Sequence, residues 1–128
     1  MKDAELDRVL EQASKYEPEY LYYLLGSQLL GAGFQAQSAG EAAEVGKDFL
    51  TRWREEFRKL VCKKGGVYDQ FVRGVVTRND VPKLVAIAIL TGAPKLGGIV
   101  ISELMAAYLG LLVVQSGIAA YCAGYKEA

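Results

Sequence analysis

The sequence predicts an all-α fold, a compact bundle of five to six helices with a central apolar C-terminal helix, in one domain spanning residues 1–128. Three observations carry that expectation. Apolar residues recur at steps of three and four along most of the chain rather than alternating. Pro18, Pro82 and Pro94 stand where helices open, and glycines follow where they close. A chain of 128 residues with 52% hydrophobic and 23% charged residues has enough apolar surface for a single core.

From Asp3 to Tyr16 the apolar set Ala4, Leu6, Val9, Leu10, Ala13 and Tyr16 marks one face of a short amphipathic helix. Pro18 suits the first turn of a second helix, with Glu17 and Glu19 at its positive dipole end. The run Tyr20–Leu30 that follows is apolar all round and is expected to cross the core. Residues 31–40, with their glycines, read as a loop, and the Ser38/Glu41 spacing is that of a capping box opening a third helix. On that helix Phe49, Leu50, Trp53, Phe57, Leu60 and Val61 share one stripe, and Gly65 and Gly66 end it.

Val67 to Val76 reads as a short helix, although FVRGVV alone also fits a strand. Asn79 or Asp80 is expected to cap the next helix, which is apolar from Leu84 to Leu90 and stops at Gly92. Pro94 then opens a last helix expected to run through residues 95–122.

With no histidine, imidazole general-base chemistry, Ser-His and Cys-His pairs and His-bearing zinc sites are excluded. The only cysteines, Cys62 and Cys122, read as buried reduced thiols. No secretory leader is recognisable at the N-terminus, so the expected location is the cytoplasm, with membrane association as the alternative. No phosphate loop, nucleophile elbow, C-x-x-C pair or carboxylate cluster suited to metals is present. Gly31, Gly33 and Ala36 formally match a dinucleotide fingerprint, but a helical run rather than a strand precedes them. No catalytic, cofactor-binding or metal-binding residue is assigned, and no small-molecule substrate is identified.

Three constellations bear on function. The first is the C-terminal segment, where 22 uncharged residues lie between Glu103 and Lys126. That length reaches the transmembrane range, yet Gln115, Ser116 and Gly117 sit mid-stretch and no basic flank sets an orientation. A central bundle helix is expected, with insertion of the 84–122 hairpin as the alternative. Along it Glu103, Ala106, Gly110, Gly117, Ala120 and Gly124 recur at three, four and seven, a small-residue ridge that suits close packing on the 20–30 helix or an oligomer seam. Glu103 is expected to pair with Lys95 or Lys83 or to cap a helix end.

The second is charge layout. Fifteen bases balance fifteen acids overall, but residues 1–48 carry net −5 and residues 52–83 net +5. Arg52, Lys59 and Lys63 are the candidates for a basic surface toward phosphates or an acidic partner. The third is the aromatic group of Tyr16, Tyr20, Tyr22 and Tyr23, expected to be mostly core contact with hydroxyls at the rim, though suited to an interface.

The expected function is a non-enzymatic helical interaction or assembly module that binds a protein partner or itself. The alternatives are a membrane-active or membrane-anchored helical protein, and a nucleic-acid-contacting subunit of a larger complex.

Overall fold

The computed structural model describes residues 3–31 and 39–126. Its described residues form eight α-helices, one 3₁₀ turn and a two-stranded hairpin, an all-α bundle. In order these are α1 (Asp3–Ala13), α2 (Pro18–Leu30), α3 (Ala39–Arg52), α4 (Arg54–Val61), α5 (Val67–Val72), the 3₁₀ turn Arg78–Asp80, α6 (Val81–Gly92), β1 (Lys95–Leu96), β2 (Ile99–Val100), α7 (Glu103–Gln115) and α8 (Ile118–Cys122).

α7 is the centre. From Met105 to Val113 nine successive residues are buried, so no stripe of the helix is left for water. The walls around it come from α6, α2 and α1. α1 turns Leu6, Leu10 and Ala13 inward at i, i+4 and i+7. α6 buries Val81, Val85, Ala86 and Ile89. At the far end of α7 Gln115, now exposed, donates through Nε2 to the Tyr16 carbonyl at 3.1 Å and so holds the α1–α2 turn.

Glycine sets how closely the helices approach. A Cβ on Gly110 would lie 2.6 Å from the Pro82 carbonyl oxygen, so α7 and α6 meet backbone to backbone. α2 and α3 meet in the same manner twice: a Cβ on Gly26 would collide with the Ala42 carbonyl, and one on Gly46 with the Tyr22 carbonyl. Ala42, Ala43 and Gly46, all buried, form the small face of α3 that makes this possible.

Several expectations are corrected. The single helix expected over 95–122 is a two-stranded hairpin followed by two helices, because Gly97 and Gly98 both take positive φ (58° and 83°) and make the two-residue turn of that hairpin. Gly117, at φ 91°, then separates α7 from α8. A new cap appears at Ser102, whose hydroxyl accepts from the Met105 N–H at 3.2 Å. The 84–122 segment is therefore interrupted, and among the described residues no helix is long and apolar enough to cross a membrane.

The third helix is likewise broken, at Trp53 (φ −102°, ψ 14°). The bend brings the Phe49 and Phe57 rings to 6.2 Å, although eight positions on a straight helix span about 12 Å. Asp80 stands before α6 but caps nothing, since its carboxylate accepts from the Thr77 hydroxyl at 2.9 Å. The Ser38 cap, and most of the fingerprint residues, lie outside the described residues.

The cysteines are not free thiols. Cys62, at the end of α4, is disulfide-bonded to Cys122, at the end of α8, with Cα atoms 5.4 Å apart. Disulfides persist in oxidising surroundings, and the bond overturns the expectation of two buried reduced thiols. It closes a loop of 60 positions, for which the chain-entropy relation gives about 4 kcal/mol. Cys62→Ala/Cys122→Ala is expected to lose about that much stability in urea unfolding followed by Trp53 fluorescence. An unchanged midpoint contradicts the disulfide's structural role.

Candidate functional site

Two places bring chemistry-bearing side chains to the surface. The first is the outer face of α2. Pro18 fixes where α2 starts, Tyr20 and Tyr23 follow one turn apart on it, and Tyr16 reaches Tyr20 from the α1–α2 turn. The Tyr20 ring meets Tyr16 edge-on at 4.8 Å and stacks with Tyr23 at 5.7 Å. Tyr20 is nevertheless 46% exposed, a large aromatic fixed at the surface by its neighbours.

A groove runs along each side of this ladder. One, of about 130 Å³, is lined by Tyr16, Tyr20, Leu24, Leu104 and Tyr108, with Leu104 exposed at its edge. Burial pushes the Tyr108 phenol above its ordinary range. The other, of about 350 Å³, lies among Glu17, Tyr20, Tyr23, Gly40 and Ala43. Tyr22 points elsewhere: Lys47 stands over its ring at 5.6 Å and bonds Glu19 at 3.0 Å, tying α3 to α2. The hydrogen bond to Glu19, together with its charge, raises the Lys47 pKa.

The second place is the seam of α3 and α4 with α8. Here a cavity of about 250 Å³ is lined by Tyr22, Leu50, Thr51, Arg54, Ser116, Ala120 and Tyr121. α8 is held onto α4 by the disulfide and by Arg58, which donates from Nη2 to the Ala123 carbonyl at 2.8 Å and from Nη1 to Glu55 at 2.9 Å. Arg54 lies over the Tyr121 ring at 5.5 Å and Arg58 over Tyr125 at 5.6 Å. Two buried donors are left over: the Tyr121 hydroxyl and Arg58 Nε have no hydrogen-bond partner among the described residues. Burial pushes the Tyr121 phenol up to about 12, against the opposing pull of Arg54 and Arg58 and with a small further push from Glu55.

The other sequence candidates are dispersed. Ala106 and Gly110 are buried within the chain, while Gly117 is the α7–α8 junction and Ala120 an exposed position of α8, so the ridge is not one continuous face. Gly110 packs on α6, and not on α2 as expected. Glu103 sits in the first turn of α7, where a carboxylate meets the helix dipole. Lys83 reaches Asp7 of α1 at 2.9 Å. Arg52 ends α3 with its guanidinium 5.4 Å from the Trp53 ring, beside a groove of about 310 Å³ that also touches Gly97 and Ile99. Lys59 bridges Glu56 at 3.6 Å, and Lys63 lies exposed beyond α4, so the three bases stand on three separate segments.

Among the described residues no group of three or more His, Cys, Asp or Glu is placed to hold a metal ion. The sequence matches no protein-family profile, and no curated protein or solved structure matches it.

The buried phenol gives a pH dependence. Below its ordinary value of 10.0 Tyr121 is neutral in both states and its contribution is complete; from there to about 12 only the unfolded chain gives up the proton. Stability is therefore expected to fall across that window by up to about 3 kcal/mol. Tyr121→Phe should remove this part of the loss in urea midpoints measured across the window. At neutral pH it should cost nothing, since the hydroxyl it deletes has no partner.

Proposed function

We propose that this chain is a non-enzymatic helical interaction module that docks a protein partner on the tyrosine face of α2. The supporting observation is Tyr20, nearly half exposed yet fixed between Tyr16 and Tyr23 with a groove on each side. An aromatic already held in one position loses little conformational freedom on binding, which is the property of interface anchors. What the face offers is apolar shape with a polar rim, rather than a nucleophile beside a base.

Charge indicates the partner's chemistry. Glu17 and Glu19 flank the face, and the whole N-terminal region through residue 48 is net −5. A partner that places one apolar side chain in the 130 Å³ groove, with Lys or Arg around it, is complementary. Two copies meeting face to face about a two-fold axis would set these acids against each other.

The test is a photo-crosslinking residue at position 20 in cells that make the protein, followed by purification of the species captured. Tyr20→Ala and Tyr23→Ala are expected to weaken that species' binding at least about tenfold, while Arg52→Ala leaves it unchanged. Equal affinity for all variants overturns the proposal. Capture of a second copy of the chain replaces the separate partner with self-assembly.

A further inference from the structure

The α4–α8 seam has a surplus of hydrogen-bond donors that the fold does not use. Nine-tenths of Tyr121 is buried, and its hydroxyl finds no acceptor. Arg58 Nε is buried without one as well, although the same guanidinium satisfies its other nitrogens on Glu55 and Ala123. Arg54 rests its charge on the Tyr121 ring. A buried donor left unmade costs about 1–3 kcal/mol, so leftover donors at one place mark a site built for an acceptor.

The carboxylate at hand does not supply it. Glu55 is spent on Arg58 Nη1 and its side chain is 67% exposed. Thr51 and Ser116 add hydroxyls to the same cavity, and the Ser116 hydroxyl already donates to the Val113 carbonyl. Room is present: the cavity is about 250 Å³, several times the roughly 30 Å³ share of one water. Its remaining walls, Leu50, Ala120 and the Tyr22 ring, are apolar. The donors are also held in place, because the Cys62–Cys122 bond and the Arg58–Ala123 contact fix α8 against α4.

We infer that this seam binds a small oxyanion, the carboxylate or phosphate group of a small molecule, between Arg54 and the Tyr121 hydroxyl, with Arg58 adding positive charge behind the phenol. Arg54 is exposed, with its guanidinium 5.5 Å from the Tyr121 ring, and both residues line the cavity. A hydroxyl and a guanidinium together satisfy two oxygens of one group, and the apolar walls accept a short hydrocarbon tail. The site is separate from the tyrosine face, and neither proposal depends on the other.

The test titrates the oxidised full-length chain, ¹³C-labelled at tyrosine, with inorganic phosphate, acetate and hexanoate in turn. The expected result is a saturable shift of the Tyr121 ring signal with a Kd of about millimolar or tighter for at least one probe. Arg54→Gln, read through the same signal, and Tyr121→Phe, read through the Tyr22 ring signal of the same cavity, should each weaken binding at least about tenfold, the size of one hydrogen bond to a charged group. Phosphate binding tightest assigns a phosphoryl group, and hexanoate exceeding acetate assigns a carboxylate on an apolar tail. No saturable shift with any probe, or binding unchanged in the variants, overturns the inference. Should Tyr121→Phe fail to fold, Arg54→Gln, at an exposed position, decides alone.

Discussion

From Met105 to Val113 no residue of α7 is left to solvent, so the helix requires a wall on every side, and the placement of α1, α2 and α6 answers that requirement. Such a helix gains from burial in proportion to the apolar area it removes from water, and loses wherever a neighbour stands off and leaves a void. Gly110 lets α6 close to the backbone, and the Gly26 and Gly46 contacts let α3 close on α2 behind it. The small residues are thus spent on internal packing. What remains at the surface is the material the core did not need: a tyrosine ladder on α2 and a row of arginines along α4.

The seam of α4 and α8 shows how a local staple creates a chemical environment. α8 has only five residues and little core of its own, and it is kept in position by the disulfide and by Arg58. Those two ties draw Tyr121 under Arg54 and strip its hydroxyl of water. The raised phenol, the unused donors and the cavity are consequences of one geometric fact, that the ends of α4 and α8 meet.

Much of the fold was legible from the sequence because its signals are local. Pro18 and Pro82 mark helix starts, the Leu6/Leu10/Ala13 spacing gives the inner face of α1, and the uncharged run after Glu103 declares a buried helix. Misreadings arose where a local signal has two meanings. Gly97-Gly98 breaks a helix and turns a hairpin, and with Leu96, Ile99 and Val100 around it the apolar run conceals the turn. Trp53 lies on the expected stripe, yet the chain bends there so that Phe49 and Phe57 can pack. The small-residue spacing of 103–124 suggests a seam there, whereas Ala42 and Gly46, four apart on α3, carry the closest approach.

The seam site was beyond sequence reading for a different reason. Arg54, Arg58 and Cys62 recur at four and so share one side of α4, but nothing local says that Tyr121 faces them. Only the pairing of Cys62 with Cys122 supplies that. The glycines of the apolar helices serve the inside of this chain. The most direct measurement is urea unfolding and native mass of Gly110→Leu, whose side chain would drive into the Pro82 carbonyl. A loss of more than about 2 kcal/mol with no change in the mass of the folded species is the predicted result. A variant as stable as its parent, but of lower native mass, would contradict it by making the ridge a seam between chains.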